Sequence, residues 1–453
     1  MTPFTRTTVR DFRALFARCV SGRPRGPAPP VVIQTRGEVR TLAATTPEGI
    51  TLTHASPALK ESDDLLVLPA SVLAEVEGVT DEHVTLDRES KLCGVVRWHG
   101  GSKPRTLPVE LILPGKQHEL PVPPALSVVP AKLLTALHEC GRTAAKESGR
   151  YALSKVQLQG KAGRVLGTDG KAALLWNGFT FPFADDVLVP AVPVFGSKPL
   201  SRIMEVKIGR TATHLVVTAG PWSVWLPIDT RAKYPDVAAV IPRYAPTTVA
   251  IDPSDAAALL PVLPGLPGGD HELRPVTLDV DGVVRVRGRT ESGEKVGETR
   301  EMPLPQSIAT GPAVRIVLDR RVLARALALG CRALKLTPDK PAVFAGDCIT
   351  FVAAQLDPAL HAPPVAGEPE PIPTPTTTLE RRPTVKPETN GHTPPRGDPA
   401  DPLELAEELR AALADAAGKA ARLVVALRHG KKEKKVLASV LTGLKQLNLG
   451  GTS

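Results

Sequence analysis

The chain has 453 residues, 42% of them hydrophobic and 4% aromatic, and its 56 Lys and Arg outnumber 47 Asp and Glu for a formal net charge of +9. That length exceeds a single core and predicts about three domains, while no run approaches the ~18 consecutive apolar residues of a membrane-spanning helix. The basic balance fits an anionic partner such as nucleic acid, and five cysteines without a CxxC pair (Cys19, Cys93, Cys140, Cys331, Cys348) predict reduced, buried thiols in a cytosolic protein, with no disulfide or zinc framework.

The N-terminal stretch MTPFTRTTVRDFRALFARCVSG is Arg-rich and almost free of acids. It fits an organelle transit peptide and equally an ordinary amphipathic helix with Val9, Phe12, Leu15 and Phe16 on one face. An extended stretch followed by a helix begins three times at a spacing of about 120 residues: FTRTTVRDFRALFARCV, LSVVPAKLLTALHECGRTAA and TTVAIDPSDAAALLPVL. The first two starts each lead to a Thr-containing corner, LAATTPEGITL at 42–52 and LGTDGKAALLW at 166–176. Asp-Gly between apolar runs is a hairpin signal, because Gly supplies φ > 0 and Asp bonds its own backbone. An apolar run closed by Pro-Ala follows in both units (LLVLPA, VLVPA), then an alternating strand. In the third unit LDRRVLARALALGCRALK supplies the matching helix. Three units of antiparallel strands with two helices each make an α+β chain.

Composition changes near residue 357, where 13 of the 47 prolines crowd into 357–402. This predicts an extended, disordered linker. Beyond it Leu405, Leu409, Ala412, Ala416, Ala420, Leu423 and Leu427 recur at helical spacing, and Val436 to Leu447 carry a second stripe. A helical hairpin or coiled coil is expected there. The domain limits read from these breaks are 1–122, 123–244 and 245–356, then a linker at 357–402 and a helical module at 403–453.

TDGKAALL at 168–175 and LPIDTRAKYPDVAAVIP at 226–242 stand about 55 residues apart, in the second unit, ahead of a third. Together they resemble the TDGHRLA corner and the RLIDG-x-(F/Y)PDY-x-x-VIP ending of the bacterial DNA polymerase III beta subunit, the DNA sliding clamp. The resemblance spans about residues 1–356 and implies three clamp domains per chain, with two chains closing a ring around duplex DNA. It further implies a pocket between the second and third domains that captures QLxLF-like peptides of polymerases or repair proteins. By match, the pocket wall is Thr168, Gly170, Lys171, Ala172, Ala173, Pro235, Ala239, Val240 and Val352. Alanines 172 and 239 stand where the family has arginines, so this pocket is less cationic.

Basic residues recur on the expected helices: Arg10 and Arg13, Lys132, Arg142 and Lys146, Lys198 and Arg202, and Arg320, Arg321 and Arg325. Any one such cluster is ordinarily a solvated helix face. As a set on repeated helices they are candidates to meet DNA phosphates without reading bases. Near the C-terminus Gln446, Leu447, Asn448 and Leu449 read QLNL, matching both the docking peptide and the end of an amphipathic helix. No nucleotide-binding glycine loop, GxSxG or HExxH occurs, and His138-Glu139-Cys140 on a helix cannot converge on one metal. The expectation is therefore a non-enzymatic, cytoplasmic processivity factor with no catalytic residue, metal or cofactor. Its partners are double-stranded DNA of any sequence, a second copy of itself in a homodimeric ring, and polymerase or repair proteins, with no membrane. The alternative is a clamp-fold interaction scaffold that does not encircle DNA.

Overall fold

The computed structural model describes residues 4–20, 26–58, 60–101, 103–147, 151–290 and 297–365. The chain divides into two units, Met1–Glu370 and Pro371–Ser453, and every described residue falls in the first. The helical module at 403–453, the Gln446–Leu449 motif and the expected linker beyond 365 lie outside the described residues.

Three successive stretches repeat one element order. The first runs β1 (Phe4–Thr5), α1 (Arg6–Phe16), β2 (Val31–Arg36), β3 (Val39–Thr45), β4 (Thr51–Pro57), β5 (Asp64–Leu68), α2 (Ser71–Val76), β6 (His83–Arg88), β7 (Cys93–Gly100) and β8 (Lys103–Glu110). The second runs β9 (Ser127–Val129), α3 (Lys132–Thr143), β10 (Lys155–Gln159), β11 (Arg164–Thr168), β12 (Ala172–Trp176), β13 (Asp186–Pro190), α4 (Lys198–Ser201), β14 (Val206–Arg210), β15 (His214–Ala219) and β16 (Trp222–Pro227). The third runs β17 (Thr247–Ala250), α5 (Pro253–Val262), β18 (Pro275–Asp281), β19 (Val283–Arg289), β20 (Thr299–Leu304), β21 (Ile308–Thr310), β22 (Val314–Asp319), α6 (Arg320–Ala328), β23 (Ala333–Leu336), β24 (Ala342–Ala345) and β25 (Ile349–Ala353). Only β21 is additional; it lies outside β17.

Local chemistry sets the helix starts. Thr5 caps α1 by accepting from the Thr8 N–H at 3.1 Å, Asp252 caps α5 with Pro253 next in line, and Asp319 caps α6. In α1 the stripe Val9, Phe12 and Leu15 is buried in the core. This is an ordinary amphipathic helix of the first repeat. Gly167 in β11 lets α3 lie close, since a Cβ there would stand 2.0 Å from the Cys140 carbonyl oxygen. The second helix of the middle repeat, α4, is a single turn. Lys146 and Arg202, expected on helices, lie just past helix ends.

Every strand pair is antiparallel, and the sheets cross the repeats. One sheet has the order β5-β2-β3-β4-β16-β15-β14-β9, the other β13-β10-β11-β12-β25-β24-β23-β17-β21. The last strand of each later repeat thus pairs with the third strand of the preceding repeat's other sheet. At the first junction Trp222–Trp225 of β16 face Thr51–His54 of β4; at the second, Ile349–Ala353 of β25 face Ala172–Trp176 of β12. The two remaining sheets, β1-β6-β7-β8 and β20-β19-β18-β22, end on β8 and β20.

The packed chain also runs past residue 356, where an unpacked linker was expected to begin. The Leu356 N–H donates to Val317 O at 2.8 Å, and the buried Ala362 N–H donates to Thr277 Oγ1 at 2.7 Å. Residues 356–362 hold one proline, Pro358, and the dense run starts at Pro363, so composition registered the later Pro-rich run and not this short docked segment. Cysteines 19, 140 and 331 are buried as expected, whereas Cys93 is exposed and Cys348 half-buried.

His54 lies across the first junction, edge-on to Trp222 with ring centroids 4.4 Å apart. Burial pushes its imidazole down to about 4, so between pH 6.5 and 4 the unfolded chain takes up a proton that the folded chain refuses. Stability at this residue therefore falls as pH drops through that window. Lowering the pH from 7 to 5 should cost about 2 kcal/mol from His54 alone. Denaturant titrations of wild type and His54→Leu at both pH values check this. The pH-dependent loss should be smaller in the variant by that amount, and equal losses would contradict it.

Candidate functional site

The corner between β11 and β12 is held by its own side chains. Thr168 Oγ1 donates to Ala172 O at 2.7 Å and accepts from the Gly170 N–H at 3.1 Å. Asp169 Oδ1 accepts from the Lys171 and Ala172 N–H groups at 2.8 and 2.7 Å. Gly170 has φ +89°, the left-handed conformation that favours glycine. Thr45–Thr51 forms the matching corner of the first repeat, with Gly49 at φ +83°.

Pairing of β12 with β25 sets Ala173 opposite Val352 and Ala172 opposite Ala353. A small apolar cluster forms here from Leu166, Ala173, Leu175, Val237 and Val352, with Tyr234 and Ile241 packed against it. The segment after β16 is thereby laid on the corner's strands. Tyr234 Oη reaches Lys155 O and Leu166 O at 3.4 Å each, and burial pushes its phenol up. Among the residues read from the sequence, Thr168, Ala172, Ala173 and Val352 are buried. Gly170, Lys171 and Ala239 are exposed, Pro235 is half-buried, and Val240 shows 55% of its surface. Of the nine, Ala173 and Val352 belong to the apolar cluster, and the others flank its members in sequence on the corner, on β12 and on the segment after β16. Sequence reading missed Leu166, Leu175, Val237, Tyr234 and Ile241, although the strand alternation and the quoted YPDVAAVIP contained them. Elsewhere, a cavity of about 440 Å³ lies in the first repeat between α1, α2 and the β3–β4 corner, lined by Phe12, Phe16, Val31, Ala44, Pro47 and Leu73.

The ten cations do not form one class. Arg320, at 3% exposure, is internal: its guanidinium donates to the carbonyls of Leu263, Leu266, Pro267, Arg274 and Pro275. Burial holds it below the usual arginine range. Arg325 is turned into the junction between α6 and α3. Its Nε and Nη2 donate to Glu139 Oε2 at 3.0 and 2.8 Å, and Nη2 also meets Glu139 O. The guanidinium carbon stands 5.7 Å from the Phe351 ring centroid. Neither arginine points to solvent, which removes both from the set expected to face DNA. The reason is positional: Arg320 shares the i, i+3, i+7 stripe of buried Leu323 and Leu327, and buried Glu139 draws in Arg325.

The other eight reach water to different degrees. Arg142, Lys146, Lys198 and Arg202 are exposed. Arg142 shares Glu139 at 3.0 Å, and Arg321, also accessible, is chelated by Asp319. Arg10 pairs with Asp11 at 3.1 Å and Arg13 with Glu77. Lys132 lies over the Phe179 ring, 5.6 Å from its centroid, and 3.6 Å from Cys348 Sγ. In the His138-Glu139-Cys140 triplet, Glu139 serves the arginines and burial pushes the Cys140 thiol up. Among the described residues no group of His, Cys, Asp and Glu is placed to hold a metal ion, and no helix is long and apolar enough to cross a membrane.

The repeated order, the two sheets shared across repeats and the helix-backed corners have counterparts among solved structures. The DNA polymerase III beta-subunit sliding clamp of Pseudomonas aeruginosa bound to griselimycin superposes with TM-score 0.63 at 17% identity, over 78% of this chain and 98% of that one. This is the sliding-clamp fold. The beta subunit of Thermotoga maritima matches with TM-score 0.60 at 13% identity, covering 78% of this chain and 98% of its own. That of Borrelia burgdorferi, in complex with a natural product, gives 0.62 at 10%, with 78% and 97% covered. No family model and no curated protein sequence matches the chain. The clamp fold is carried here by a strongly diverged sequence.

Proposed function

We propose that this chain is a DNA tether of the sliding-clamp type. Two copies close head to tail into a ring around duplex DNA and present the Thr168–Ala173 and Pro235–Val240 strip, with Val352, to QLxLF-like peptides of polymerase or repair proteins. Domain limits at 122/123 and 244/245, a third domain carried past 356 by its docked end, and a cytoplasmic location belong to the same reading, as does the absence of any chemical step. One observation carries it. Each internal junction joins the last strand of one repeat to the fourth strand of the repeat before, and by the same rule the last strand of the first repeat, β8, and the fourth of the third, β20, stand as sheet edges without that partner. Pairing β8 of one copy with β20 of the next continues the rule, and two such pairings join two chains into the proposed ring.

The exposed cations Lys146, Lys198 and Arg202 supply sequence-blind attraction to phosphates. Reversing all three to Glu should weaken binding to duplexes of unrelated sequence by the same factor. It should also flatten the dependence of log K on log salt by roughly 3. Fluorescence anisotropy at several salt concentrations measures both, and an unchanged slope would place DNA elsewhere.

The scaffold reading that leaves DNA unencircled draws on two features, the inward-turned Arg320 and Arg325 and the alanines at 172 and 239. Solution mass separates the two, because a ring requires a dimer at working concentration.

A further inference from the structure

The two strand edges that would close the ring differ from the internal junctions in one respect, and it lies in the backbone. Across β7 and β8 the Leu111 N–H donates to Leu92 O at 2.7 Å, while the next N–H, of Ile112, points the other way to Val67 O at 2.8 Å. Odd-numbered residues of β8 therefore turn their N–H groups to β7, and even-numbered residues turn theirs to the free edge. The outward positions are Pro104, Thr106, Pro108 and Glu110. On β20 the Thr290 N–H bonds Glu298 O at 3.0 Å, so even residues face β19 and the outward positions are Thr299, Glu301 and Pro303. All three prolines are exposed. Three of the seven outward positions thus have no N–H to give. Within the chain, the paired residues Thr51–His54, Trp222–Trp225, Ala172–Trp176 and Ile349–Ala353 include no proline.

We infer that the junction between chains is a weakened copy of the junctions within the chain: Pro104, Pro108 and Pro303 withhold backbone hydrogen bonds from the β8–β20 pairing, so the ring opens and recloses at that place by itself. The inference rests on the head-to-tail ring proposed above. Each missing N–H leaves a carbonyl of the partner edge to water, and proline on an exposed edge also limits uncontrolled strand addition. The ring then exists as a reversible pair of halves.

Sedimentation velocity over a dilution series of the full chain tests this. Two triple variants are compared with wild type, Pro104→Thr/Pro108→Thr/Pro303→Thr and Pro104→Ala/Pro108→Ala/Pro303→Ala, which have in common the restored N–H groups. Both should dimerise about tenfold more tightly or better, as expected for regained backbone bonds. Dimers of equal affinity in all three proteins would overturn the inference and leave the ring standing on side-chain contacts. Monomers throughout, at every concentration, would overturn the ring itself and this inference with it.

Discussion

Replacing Arg320 with Met should destabilise the protein by about 4 kcal/mol or more, an effect outside the ordinary range of single substitutions. The side chain sits at the first turn of α6 and folds back onto the chain segment that follows α5. There it collects the carbonyls of Leu263, Leu266 and Pro267, and those of Arg274 and Pro275 beside its own strand β22. The carbonyls of Leu266 and Pro267 lie in the loop past α5, while Leu263 O and Arg274 O also accept the backbone N–H groups of Leu266 and Arg320, and a cation at a helix C-terminus also answers its dipole. Methionine fills much of the volume and satisfies none of them. Urea denaturation of Arg320→Met beside Arg321→Met checks the reading, since the neighbour bonds Asp319 at the surface and should lose less than about 1 kcal/mol. Equal, small losses in both variants would show that Arg320 does not hold this loop.

The second large effect belongs to the junction of the middle and third repeats. Glu139, on α3 and 8% exposed, accepts from Arg325 on α6 and from Arg142 on its own helix. Removing Glu139 strands the inward-turned Arg325, and removing Arg325 leaves Glu139 with only the exposed Arg142, so Glu139→Leu or Arg325→Met alone should cost about 3–5 kcal/mol. The double variant should recover most of that loss, because neither charge is then left unpaired. A double-mutant cycle by denaturant titration reads the coupling directly. Additive losses would mean that the two side chains act independently.

The legible parts of this fold were those with local signatures. The three strand–helix starts, the Thr-Asp-Gly corner with Gly170 at φ +89° and the Pro-Ala ends of β5 and β13 all arise from residues close in sequence. Pairing of β12 with β25 joins residues some 170 positions apart, and no local pattern specifies it. The apolar cluster beside Val352 is complete only through that pairing, so Leu166 and Tyr234 stood in quoted motifs without anything local to show that they meet Val352. The arginines of α6 show the opposite failure. As a composition they look like one solvated face, yet the helical spacing of Arg320 with Leu323 and Leu327 already places it inward. Arg325 turns inward through Glu139, a partner on a helix of another repeat.

If two chains surround DNA, their retention depends on the DNA being a circle. The full chain, incubated above its dimerisation midpoint with a nicked circular duplex in nucleotide-free buffer, is passed over a sizing column before and after one restriction cut. Protein should travel with the circle at a salt concentration that abolishes ordinary electrostatic binding, and should be lost once the same DNA is linear. Equal retention on circular and linear DNA, or none on either, would contradict the ring.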